Sequence, residues 1–252
     1  MDLRVEAVTF DVADAAPVAA FWAALLGRDT RREPGAVLVP GGPAQVGLRF
    51  VTSESAQVRP RRLHLHLTSD SPEQQRRTVH RVLELGGSHL DVGEGPEAGF
   101  VVMGDPGGGE LCVIEAGTRF PQGTGFLGEV TCDGSPEVGR FWHAALRWPL
   151  VLDQDGQTAI QSPHGGTKIS FDSWEDDSAP PRDLRSRQRY DLLSEDLDAA
   201  TERLVARGAT LLGERDGGVE MTDPDGFDFG RAASESGSGG ARALSPSRRP
   251  AL

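Results

Sequence analysis

Hydrophobic residues in this chain return with two different periods, and the two alternate. Residues 5–12 switch between apolar and polar positions, which places Val8, Phe10 and Val12 on one face of a strand. A helix follows, with Asp14 as its N-cap and Val18, Phe21, Trp22, Leu25 and Leu26 at helical spacing. Short strands are predicted over 36–40 and 45–52. The order then begins again. Residues 61–68 alternate as a strand, and Ser71-Pro72-Glu73-Gln74 opens a helix with the spacing of a capping box. Val79, Val82 and Leu83 form its apolar stripe, and Gly86-Gly87 stops it. Strands over 100–103 and 110–115 complete the half.

The second half repeats the first. Val8-Thr9-Phe10-Asp11 returns as Val130-Thr131-Cys132-Asp133, Phe21-Trp22 as Phe141-Trp142, and Asp105-Pro106 as Asp223-Pro224. The spacing is about 120 residues each time, and the order is kept. Ser135-Pro136 starts the third helix, whose stripe is Val138, Phe141, Trp142, Ala145 and Leu146. Strands follow over 158–161, 167–172 and 188–193. A fourth helix carries Leu197, Ala200, Leu204 and Val205 and stops at Gly208, before strands over 218–222 and 227–230. The expected organisation is a domain over 1–117, a linker over 118–124, a second domain over 125–231 and a disordered tail over 232–252. Residues 52–60 and 172–188 are expected to cross between the halves of each domain.

Composition narrows the function classes. The formal net charge of −12 argues against nucleic acid, which draws on basic surface. No apolar stretch is long enough to span a membrane, and no signal peptide opens the chain. Cys112 and Cys132 form no CxxC and sit in apolar runs. They read as buried free thiols in a reducing, cytoplasmic setting. The expected partner is a small molecule. The expected state is a monomer, acting as an internal pseudo-dimer, or a homodimer.

The candidate chemistry lies on the polar faces of the strands. His64 and His66 share the face opposite Leu63, Leu65 and Leu67, roughly 6 to 7 Å apart along the strand. Glu110, Cys112 and Ile114 share one face of a second run. On one curved sheet His64 and Glu110 can meet, and imidazole with carboxylate is ordinary ligand chemistry for a divalent metal. There is no dinucleotide fingerprint, phosphate loop or nucleophile elbow.

Several of these residues carry a resemblance. They are Phe21-Trp22-x-x-Leu25-Leu26-Gly27, Arg62-Leu63-His64-Leu65, Leu85-Gly86-Gly87 and Asp105-Pro106-x-Gly108-x-Glu110-Leu111, with their counterparts in the second half. In order and duplication the chain resembles the vicinal oxygen chelate superfamily, the glyoxalase and bleomycin-resistance fold, in the tandem form common in actinobacteria. The resemblance covers nearly everything but the tail. It implies an α+β fold of two tandem glyoxalase-like domains, each of two βαβββ units, with open cup-shaped mixed sheets and helices outside.

In metal-using members the ligands come from the first and last strands of each unit. Carried over, the first-strand position falls on His64 and the last-strand position on Glu110. His66 on the same face is the candidate third ligand. The other unit of that half departs from the pattern, with Ala7 at the first-strand position and Gly47 or Arg49 on the last strand. In the second half Glu129, Arg189, Asp191 and Asp228 take the corresponding places and are the candidate substrate-binding residues. Arg189 between acids reads first as an ion-paired cluster, and second as a two-point grip on a carboxylate or phosphate. The resemblance implies metal-dependent lyase, isomerase or dioxygenase chemistry on a molecule with neighbouring oxygens. The ion would be iron, manganese, nickel or zinc, with Glu110 as ligand or general base. The alternative is a non-catalytic protein of the bleomycin-resistance type, which sequesters a drug or metabolite without a metal.

Overall fold

A computed structural model describes residues 3–54, 61–91, 93, 99–120, 122–173, 186–215 and 218–233. Most of both crossovers, and the expected disordered tail beyond 233, lie outside the described residues. The chain builds four strand–helix–three-strand units. The first contains β1 (Arg4–Val12), α1 (Ala15–Leu26), β2 (Arg31–Glu33), β3 (Ala36–Val39) and β4 (Gly47–Thr52). The second contains β5 (Leu63–Leu67), α2 (Pro72–Glu84), β6 (Ser88–His89), β7 (Phe100–Gly104) and β8 (Glu110–Ile114). The third contains β9 (Leu127–Asp133), α3 (Pro136–Leu146), β10 (Leu150–Gln154), β11 (Gln157–Gln161) and β12 (Lys168–Asp172). The fourth contains β13 (Gln188–Ser194), α4 (Leu197–Val205), β14 (Thr210–Arg215), β15 (Gly218–Thr222) and β16 (Asp228–Ala233).

The units assemble into two curved eight-stranded mixed sheets. One runs β14-β15-β16-β13-β1-β4-β3-β2 and the other β10-β11-β12-β9-β5-β8-β7-β6. Each sheet therefore takes one unit from each sequence repeat. The central seams are antiparallel pairs of first strands, β1 with β13 and β5 with β9. The order of the repeats left this pairing open. The first unit joins the fourth, and the second joins the third.

The helices explain why one face of each sheet is greasy. α1 and α4 pack on the first sheet, α2 and α3 on the second. Val8 and Leu48, Leu65 and Leu111, Val130 and Ile169, and Tyr190 and Phe229 all join one continuous core. The opposite faces carry the polar alternates. Leu83 and Val205 are 38% and 46% exposed, so neither belongs to its helix's buried face. That role falls to Thr78 and Val82 in α2, and to Ala200 and Leu204 in α4. The short strands β2 and β6 are largely exposed and carry no alternation long enough to be read from the sequence. β16 runs through Ala233, two residues into the expected tail.

The repeated motifs turn out to be two halves of one contact. The Trp22 indole N–H donates to Asp105 Oδ2 at 2.9 Å, and Asp105 Oδ1 accepts from the amides of Gly107 and Gly109. Trp142 and Asp223 repeat this at 3.1 Å, with Asp225 and Phe227 supplying the amides. Each pair ties a helix of one sheet to a turn of the other within one repeat. A Cβ on Gly107 would meet Val18 Cγ2 at 2.8 Å, so this turn needs glycine to lie against α1. Burial raises the carboxyl of Asp223 to about 7, and Asp105 moves the same way, although the N–H donors pull against it.

Gln188 also joins the sheets. Its side chain accepts from the amides of Arg62 and Leu63 and donates to the Leu63 carbonyl, replacing a strand partner. The helix starts follow the sequence reading. Asp14 accepts from the Ala16 amide and Ser71 from the Gln74 amide. The return bond of the Ser71 box goes to the Asp70 amide, one residue earlier than the standard box. Ser71→Ala is expected to lower stability by about 1 kcal/mol in urea unfolding, with an unchanged slope.

Candidate functional site

The open face of the second sheet gathers the polar side chains of β5, β8, β9 and β12. The antiparallel register sets His66 opposite Glu129 and His64 opposite Thr131. The parallel register sets His66 beside Cys112. Alternation does the rest, because all of these lie on the face turned away from the helices.

Their geometry is tight. His66 Nδ1 lies 2.7 Å from Glu129 Oε2, a carboxylate that accepts from the ring when Nδ1 carries hydrogen. His66 Nε2 stands 2.9 Å from His64 Nε2, a hydrogen bond whose direction is set by the tautomers of the two rings. Thr131 Oγ1 lies 3.4 Å from the His66 ring nitrogens. Burial, then the neighbouring His66, push the pKa of His64 down to about 4, so its imidazole is neutral at pH 7. Burial pushes the Cys112 thiol up to about 12, helped by Glu110 and Glu129. The donor atoms of His64, His66 and Cys112 lie within 4.8 Å of one another.

One wall of this cup is apolar. Val102, Cys112 and Ile114 pack together with Leu90 and Phe100. The opposite side is polar. The hydroxyl of Ser170, beside Thr131 in the register, is buried and has no hydrogen-bond partner among the described residues. Lys168 Nζ donates to the Phe120 carbonyl and sits 4.3 Å from the Phe120 ring centroid. Burial lowers its pKa. Burial and then Glu129 raise the carboxyl of Asp172.

The corresponding face of the first sheet is closed by ion pairs. Arg49 holds Glu6 at 2.7 Å, Glu33 at 2.8 Å and Asp191. Arg189 binds Asp11 at 2.9 Å and lies 3.6 Å from Asp191, which also accepts from Thr9 Oγ1. Burial opposes the charge on Arg49, but Asp191 and Glu6 outweigh it and raise its pKa. This network occupies the inner face with the protein's own charges. Asp228, at the start of β16, is buried, with Oδ2 accepting from the Ser186 amide.

The structure thus brings His64, His66 and Glu129 together and draws Arg189 and Asp191 into the network. Glu110 is half-buried at the start of β8, on the same face as Cys112 but outside the 4.8 Å donor group. Cys112 was legible only as a buried thiol. The available signal was its alternation with Glu110, but recognising it required the β5–β8 register. His80, His89, His143 and His164 are exposed. A separate groove of about 730 Å³ lies where the first and third units meet, between Leu3, Arg31, Leu38, Leu146 and Trp148, away from the histidines.

A sequence model of the glyoxalase-like domain matches residues 7–114 and again 129–230. The chain belongs to the glyoxalase-like domain family. Among solved structures it is similar to glyoxalase I from Zea mays, with a TM-score of 0.65 at 13% identity over 92% of both chains. A V278E mutant of that enzyme gives 0.63 at 15% identity, again over 92% of each chain. A proposed dioxygenase from Bacillus subtilis gives 0.60 at 12% identity, over 93% of this chain and 86% of the other. No curated protein matches by sequence. At these identities the likeness establishes the two-sheet glyoxalase-like fold, and the chemistry rests on the side chains present. Among the described residues no helix is long and apolar enough to cross a membrane.

Proposed function

We propose that this glyoxalase-like protein uses a divalent metal in the cup of its second sheet. There it acts on a small molecule with neighbouring oxygens by lyase, isomerase or dioxygenase-type chemistry. The observation that carries the reading is the approach of His64 Nε2 and His66 Nε2 to 2.9 Å, with Glu129 holding the second ring. With neither Nε2 carrying hydrogen, the two imidazoles would turn two lone pairs to one point, an arrangement that suits a divalent ion. His64 and His66 would hold it, and when bound it would act as a Lewis acid on a carbonyl or enolate oxygen. Glu110 supplies the carboxylate role, as third ligand or as the base that takes a proton from the substrate. Phe100, Val102 and Ile114 receive the apolar part of that molecule.

That apolar wall also favours a second reading, metal-free capture of an aromatic or apolar metabolite, and one experiment separates the two. Metal content is measured on the purified protein. Melting temperature is then followed with added manganese, iron, cobalt, nickel or zinc, for wild type and His64→Ala. At a hundredfold excess over its Kd an ion contributes about 2.7 kcal/mol to the wild type. The expected result is a clear upward shift that His64→Ala abolishes. Identical curves with and without ions, in both proteins, would leave the capture reading.

A further inference from the structure

We infer that the third ligand of this centre is the Cys112 thiolate, which makes it a two-histidine, one-thiolate site for a zinc-class ion. The inference rests on the metal reading above and goes beyond it in ligand and ion. Several observations support it. The β5–β8 register seats Cys112 beside His66, and its Sγ falls within 4.8 Å of both imidazole donor atoms. In a tetrahedral site with Zn–N near 2.05 Å and Zn–S near 2.3 Å, the nitrogen-to-sulfur separation is about 3.6 Å. Closure of about 1 Å, within the range of side-chain rotation, would complete the set.

Glu110 starts one step earlier on the same face and is not part of the group. It stays available as a base. Cys112 is 5% exposed and packed against Val102 and Ile114, where a bare thiolate would be unstable. An ion compensates that charge. On binding, the S–H proton leaves to solvent and a metal–sulfur bond forms, while both histidines remain neutral. Thiolate with imidazole selects zinc, cobalt or copper(I) over manganese and magnesium. Cys132 cannot substitute. It is buried in the core, with Sγ 2.6 Å from the Tyr190 hydroxyl.

Titration of the full-length protein with Co²⁺ tests this directly. Visible d–d bands report a tetrahedral ion, and a near-ultraviolet charge-transfer band reports a cobalt–thiolate bond. The wild type is expected to show both. Cys112→Ser should lose the near-ultraviolet band and bind at least tenfold more weakly, while Cys132→Ser and Glu110→Gln keep it. Zinc should displace the cobalt, and manganese should not. Visible bands without the thiolate band, lost in Glu110→Gln, would overturn the thiolate and leave the metal reading standing. A thiolate band that survives in Cys112→Ser would also overturn it. No cobalt spectrum at all would remove both ideas. The wild-type spectrum needs no variant, so a poorly folding Cys112→Ser would not block the test.

Discussion

Replacement of Arg49 by methionine is expected to destabilise the protein by about 3 kcal/mol. The guanidinium serves three carboxylates at once, Glu6, Glu33 and Asp191. Its side chain is 14% exposed, and its partners are near one-fifth exposed. Breaking a buried pair by removing one partner costs about 3–5 kcal/mol, because the remaining charge is left desolvated. Partial exposure puts this network at the lower end. Arg189→Met should cost a comparable amount, since Asp191 would still hold Arg49 and Thr9 but Asp11, 8% exposed, would lose its Arg189 partner. Urea unfolding reads both through the midpoint at constant slope. A loss below 1 kcal/mol for Arg49→Met would place these bridges among ordinary surface pairs. The network would then be no reason for the first sheet's inner face to be closed.

The second large effect is a pair of opposed pH dependences. His64 takes up a proton near 6.5 in the unfolded chain and near 4 in the fold. Between those values the unfolded state binds more protons, so stability falls as pH drops from about 6.5 to about 4. Asp223 runs the other way. Its carboxyl titrates near 3.9 when unfolded and about 7 when folded. Its contribution is complete below pH 3.9 and is lost as pH rises through 7.

Each shift corresponds to roughly 3–4 kcal/mol across its window. In the wild type they largely cancel between pH 4 and 6.5. The single variants separate them, measured with a chelator present. His64→Gln should show stability falling as pH rises from 4 to 7. Asp223→Asn should show stability rising over the same range. Parallel curves for the wild type and both variants would mean that neither group carries its proton differently in the fold.

How much of this was legible beforehand follows from which interactions are local. The strands, helices and caps were readable because alternation, helical spacing and capping depend on near neighbours. Asp14, Ser71 and Ser135 all cap as their positions suggest. The repeat was readable because both copies keep Phe-Trp and Asp-Pro. Why they keep them was not, because the indole-to-carboxylate bonds span 83 and 81 residues. The placement of His64 and His66 on one face was also a local fact of strand geometry.

Tertiary structure alone decided the rest. Pairing the second unit with the third put Glu129 against His66, across 63 residues and from the other repeat. The β5–β8 register put Cys112 beside His66, while the Glu110 carboxylate falls outside the donor group. Pairing the first unit with the fourth brought Asp191 to Arg49 and closed the other face. A sequence determines what each strand presents on each face. Which strands stand side by side, and in what register, is settled by burying the apolar faces of all four units in one core.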